Sequence, residues 1–187
     1  MKRSIVRLAL LAVGAAVLVP GGLVWAEERV CRGTIGGVTV DNLRVPDAAT
    51  CILSGTLVEG TVKVESNAVL KAYGIRVIGN VQAENAQKVV LVDRSKIGGS
   101  VQIVQGRAAR VIGARINGDI LFDEQEGKLA AKGSRIGGNL QAFQNRGGVS
   151  ILNNRIDGNL QCKENSPAPV GGGNVVEGNK DDQCEDL

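Results

Sequence analysis

Apolar and polar residues alternate along this chain in short bursts that return every 19–20 positions, each burst built around a glycine. Two residues before that glycine stand Val58, Val77, Ile97, Ile116, Ile136, Ile156 and Val176, and two after it stand Val62, Val81, Val101, Ile120, Leu140 and Leu160. Four after it come Val64, Ala83, Ile103, Phe122, Ala142 and Cys162, with the series Lys63, Gln82, Gln102, Leu121, Gln141 and Gln161 between the two apolar columns. Alternation with a period of two predicts a strand with one buried face. A second strand is predicted from apolar pairs nine and seven positions before the glycine: Leu70/Ala72, Val90/Val92, Ala109/Val111, Leu129/Ala131 and Val149/Ile151. Ile35, before Gly37, extends the Val58 column to an eighth coil.

The glycines themselves are Gly60, Gly79, Gly99, Gly118, Gly138, Gly158 and Gly178. A fixed period of this length is the mark of a solenoid, in which each repeat buries its apolar face only against its neighbours. A further column, Gly55, Gly74, Gly113, Gly133, Asn153 and Gly173, follows the second strand. These residues tolerate left-handed backbone angles, so they predict a sharp corner. The residue after each organising glycine is Thr61, Asn80, Ser100, Asp119, Asn139, Asn159 or Asn179, a stack whose short polar side chains hydrogen-bond along the ladder. The expected fold is therefore all-β, a single parallel β-helix of about 7–8 coils. Residues 27–56 read as an N-terminal cap with one irregular coil, the extra length including Pro46-Asp47-Ala48. Residues 57–170 read as regular coils, and 171–187 as a C-terminal cap and tail. Lys180 and Asp182 stand there in the places of Leu160 and Cys162, which suits a polar end.

Residues 1–26 change the charge balance. Lys2, Arg3 and Arg7 precede an apolar run from Leu8 to Val19, broken by Pro20, and Val24-Trp25-Ala26 offers a cleavage site, the layout of a secretory signal peptide. The whole chain holds 22 Lys and Arg against 19 Asp and Glu, and the three cations of the leader account for the excess. Cleavage after Ala26 leaves a neutral protein with no membrane span. All four cysteines remain, which predicts disulfides in an oxidising compartment, the periplasm or the extracellular space. The absence of close C-x-x-C pairs speaks against a thiolate zinc site. Cys31 and Cys51 are one coil apart, and Cys162 and Cys184 one coil plus two residues. The predicted bridges are thus Cys31–Cys51 and Cys162–Cys184, since a crossed pairing would span about five coils, or ~24 Å.

The columns resemble those of right-handed parallel β-helix repeat proteins exported by bacteria. The resemblance runs from about Val30 to Cys184, and Gly171-Gly172-Gly173-Asn174 with Asp182-Gln183-Cys184 looks like an ending of that group. A more distant similarity is to bactofilins, polymer-forming β-helices that lack a signal peptide. The resemblance implies the right hand and an exported bacterial protein, and leaves the activity open, because many of the group are uncharacterised and right-handed β-helices at large include polysaccharide lyases and hydrolases.

The residues themselves argue against catalysis. There is no histidine, which removes Ser-His-Asp and Cys-His systems. The 19–20 spacing never loosens between Gly60 and Gly178, so no long loop walls a cleft. The best acidic group, Asp119, Asp123, Glu124 and Glu126, lies on one coil and offers a calcium site or an acid/base pair at most, against the plainer reading of a solvated turn. No metal and no cofactor is expected. Scarce aromatics exclude the stacking platforms of nucleic-acid binding. One column is suggestive: Arg76, Lys96, Arg115, Arg135 and Arg155 recur three residues before the glycine on five successive coils. Beside the inward Val/Ile column they face outward, and cations so close repel by up to ~1 kcal/mol per pair in water. The plain reading is a solvated ladder whose aliphatic stems cover the barrel wall. The functional reading is a groove for a linear anionic polymer. The expectation is a non-enzymatic, exported, envelope-associated structural or binding protein, docking an anionic glycan or an envelope protein along that stripe. The alternative is a small β-helix carbohydrate-active enzyme.

Overall fold

The structure, a computed structural model, is described for residues 27–187. The predicted signal peptide, 1–26, lies outside the described residues. Among them there is no helix. The strands form three parallel sheets of nine, eight and eight strands, stacked as a β-solenoid of about seven turns. One coil shows the plan. Ile120–Asp123 belongs to the first sheet, Leu129–Lys132 to the second and Arg135–Ile136 to the third. Each strand pairs only with its counterparts one coil before and one after, so Ile120 lies between Val101 and Leu140, and Ile136 between Ile116 and Ile156.

The apolar columns fill the interior. Phe122, Ile103, Ile120, Leu140, Ile97, Ile116 and Ile136 are fully buried, and the core is one cluster from Cys31 to Cys184. Two columns run differently from the pattern predicted by the sequence. In the second sheet Val89 and Leu91 face inward, in register with Leu70/Ala72 and Ala109/Val111; Val90 and Val92 take the outward places, Val90 covered there between Lys71 and Arg110 and outside the core cluster. That coil turns on two successive left-handed residues, Asp93 and Arg94, where its neighbours use one. The extra residue shifts the strand by one place relative to the next glycine, and a one-residue shift reverses every side chain. At the N-terminus, the Val58 column continues to Val40, not Ile35. Ile35 pairs with Leu53 in the second sheet instead. The true counterpart of Gly60 is Asp41, whose carbonyl accepts the Gly60 N–H. With that register, Pro46-Asp47-Ala48 is no insertion, since Ala48 takes the same left-handed turn as Asn67 one coil later.

Each of the three corners carries its own device. Between the third and first sheets the predicted polar column forms a continuous ladder. Its side-chain oxygens accept backbone N–H groups of the next coil, as Asp119 Oδ1 accepts Asn139 N–H at 2.7 Å and Asn139 Oδ1 accepts Asn159 N–H at 2.8 Å. The organising glycine belongs to this ladder. A Cβ on Gly138 would lie 2.3 Å from Asp119 Oδ1, so only glycine leaves room for the oxygen.

The other two corners hold ladders of buried polar side chains, which no apolar column marks. Asn145 Oδ1 accepts the Gln125 N–H and Asn165 Oδ1 the Asn145 N–H, while Gln183 of the C-terminal turn ends the series. At the remaining corner, after the left-handed Gly113, Gly133 and Asn153, the series is Ser134, Asn154 and Asn174. These amides satisfy backbone groups that the turning chain buries away from water. The ends are closed by the predicted bridges, Cys31–Cys51 and Cys162–Cys184, with Cα separations of 5.5 and 5.3 Å.

Candidate functional site

The third sheet is the narrowest, two residues per strand, one facing in and one out. Because Val77, Ile97, Ile116, Ile136 and Ile156 take the inward place, Arg76, Lys96, Arg115, Arg135 and Arg155 are left on the surface in direct register, all exposed. The predicted column is thus brought together as drawn, bounded by Leu57 at one end and Val175 at the other. Its surroundings add to it. No aspartate or glutamate lies in any strand of the second or third sheet, and the second contributes Lys71, Lys88, Arg110 and Lys132.

The five cations differ in what faces them. Arg135 Nη2 lies 3.3 Å from Asp157 Oδ2, and Arg155 Nε 3.5 Å from Asp157 Oδ1. Arg155 also pairs with Glu177. Arg76, Lys96 and Arg115 make no ion pair among the described residues. A shallow open depression runs along that half, lined by Arg76, Ile78, Lys96, Gly98, Arg115 and Asn117. Ile78 is 49% exposed there, which places an apolar patch beside the cations.

The acidic group is not one site. Asp119 sits in the corner ladder, accepting both the backbone and the amide N–H of Asn139. Asp123, Glu124 and Glu126 lie at the opposite end of the same strand. Burial pushes the Asp123 carboxyl above the usual carboxylate range, with the neighbouring Glu124 charge adding to it. Glu124 accepts from Gln105, and Glu164 from Gln144. Among the described residues no three histidine, cysteine or carboxylate side chains gather in a way that would hold a metal ion. A second depression follows this corner past Glu126, Arg146 and Glu164. Glu124, Glu126 and Glu164 outweigh the single Arg146 there, so it offers an anion no site.

By spacing alone Asp157 stands two residues from Arg155 on the same face, while Ile78, Gly98, Asn117 and Gly137 offer the other cations no counter-charge. Asp157 was visible beside Arg155; its reach back to Arg135, one coil earlier, comes only from the stacking. The buried ladders did leave a signal, Asn145/Asn165 and Asn154/Asn174 at the coil spacing of 20, overlooked because amides do not stand out in an apolar count. No family model, no curated protein and no solved structure matches this chain.

Proposed function

We propose that this protein is a non-enzymatic, exported β-solenoid that binds a linear polyanion, an acidic glycan, along the outward basic column of its third sheet. The observation that carries the reading is the register of Arg76, Lys96, Arg115, Arg135 and Arg155 on five successive strands of the third sheet, which like the second has no carboxylate in its strands. A rigid row of cations at the strand spacing of ~4.8 Å concentrates positive potential along one line while the rest of the molecule balances it. The two disulfides favour an oxidising compartment, where charged envelope polysaccharides occur. Among the described residues no long loop separates the strands, and the chain has no histidine, so the reading assigns it recognition and not turnover.

The test is retention on an immobilised polyanion such as heparin, for the chain 27–187 and for Lys96→Glu with Arg115→Glu. Wild-type retention should fall steeply with salt, because exposed charges are screened within ~10 Å at 0.1 M. The folded double variant should pass through unretained. Equal retention of the two proteins would reduce the column to plain surface. Release of new chain ends from any acidic glycan incubated with the protein would replace the binding reading by the enzymatic one.

A further inference from the structure

The basic column is chemically uneven along its length. Arg135 meets Asp157 and Arg155 meets Glu177, each 22 residues further on, one coil along and just past the inward residue of the same sheet. The positions in that column for the other three cations are Gly98 for Arg76, Asn117 for Lys96 and Gly137 for Arg115. None carries a charge. The two glycines are also held as they are, because a Cβ on Gly98 or Gly137 would fall 2.2 or 2.4 Å from the carbonyl oxygen of the coil before. The column therefore divides into a block of Arg76, Lys96 and Arg115 with no counter-charge, and a block in which two arginines and two carboxylates cancel.

We infer that binding is confined to the three-coil block Arg76–Lys96–Arg115, that Asp157 and Glu177 close the other two coils to an anion, and that the ligand is an acidic oligosaccharide presenting about one carboxylate per strand spacing over three successive sugars. This rests on the polyanion reading above. An anion arriving at Arg135 or Arg155 would have to displace a carboxylate already in place and would meet its repulsion. At the open block no cation is paired, and the one carboxylate of that column near it, Glu59, lies one coil before Ile78 and makes no ion pair with Arg76. Two of them are guanidiniums, whose planar fork matches a carboxylate. The spacing sets the ligand's repeat: a rigid row at ~4.8 Å suits a chain with one charge per sugar. Ile78, half exposed beside Arg76, offers an apolar surface to a sugar ring, and the Asn117 amide a partner for its hydroxyls. A single-stranded nucleic acid would lack its usual stacking partners, because none of the residues lining the depression is aromatic.

Isosteric variants of the chain 27–187 test this with oligogalacturonates and single-stranded DNA as probes, by calorimetric titration at low salt, with thermal melts to confirm folding. Asp157→Asn with Glu177→Gln opens the closed block and should tighten oligogalacturonate binding about three- to thirtyfold, the gain from two freed exposed pairs. Asn117→Asp places a carboxylate opposite Lys96 and should weaken it about two- to fivefold. Arg135→Gln should leave it unchanged, and Arg76→Gln should weaken it. Wild-type protein that binds no polyanion overturns the proposed function itself. Wild-type binding to which Arg135 contributes as much as Arg76, or which Asp157→Asn with Glu177→Gln leaves unaltered, keeps that function and overturns the three-coil block. Equal affinity for single-stranded DNA overturns the glycan assignment.

Discussion

At the scale of single residues, the same side chain takes different duties according to which corner of the coil it stands on. Asn139 lies half-buried in an outer ladder, whereas Asn154 is 1% exposed and serves three partners. Its Oδ1 accepts the Ser134 N–H at 3.0 Å, and its Nδ2 donates to the Ala131 carbonyl at 2.8 Å and to Asn174 Oδ1 at 3.0 Å. Removing the amide strands a buried donor and a buried acceptor, each costing about 1–3 kcal/mol. Asn154→Leu should thus lose ~3 kcal/mol, a fall in Tm of about 6–12 °C for a chain of this size. Asn154→Ser should lose less, since Ser134 and Ser95 already do this work with a hydroxyl at their own coils. Thermal melts of the two variants would check it, and equal melting of Asn154→Leu and wild type would mean that the buried ladder contributes nothing. Arginine shows the same dependence on place, neutralised at 135 and bare at 115.

At the scale of elements, the strands are only two to five residues long, so the corners carry much of the specification. Gly133 has φ +58°, and nothing lies within 4 Å of where a Cβ would be added. Any penalty for a substitution there is therefore one of backbone conformation alone. Gly133→Val, β-branched in a left-handed region, should cost about 1–3 kcal/mol. Gly133→Asn should be much milder, because Asn153 holds the same angle, φ 54°, one coil on. Denaturant midpoints of the pair separate the two effects; equal losses would show that space and not backbone angle is at stake. Between the first and second sheets the left-handed residues include Gln105, Glu124, Gln144 and Glu164, which no column of the sequence marked; the other two corners were legible as glycines and asparagines at fixed intervals. The corner at Asp93-Arg94 was not, because nothing in those two side chains announces two successive left-handed residues. The misplacement of Val90 and Val92 followed from that single turn.

At the scale of the whole molecule, each coil touches only its neighbours, so the ends have half the support of the middle. The polar coil at Lys180–Asp182 closes one end, with Leu187 packed back against the core, and each end coil is tied to the next by a bridge. Closing loops of 20 and 22 residues is worth about 3 kcal/mol each by the chain-entropy account. Replacing Cys31 and Cys51 by alanine should therefore raise hydrogen exchange in the N-terminal coils first, leaving the strands around Phe122 protected. Uniform loss of protection across all coils would indicate one cooperative unit instead of a stack. Peptide mapping without reduction checks the pairing directly.

The sequence by itself determined the period, the parallel stacking, the inward columns except at Val90/Val92 and Ile35, the outward basic column and the choice of disulfides. All of these follow from a repeat of 19–20 residues, which places equivalent residues above one another whatever the details of the turns. What only the tertiary structure decided depends on how adjacent coils meet. Asp157 reaching back to Arg135, the buried amides at two corners, Val40 in place of Ile35 and the outward turn of Val90 are all of this kind. They are set by the register between coils and by backbone angles at single turns, where a shift of one residue exchanges the core for the surface and a bare cation for a paired one.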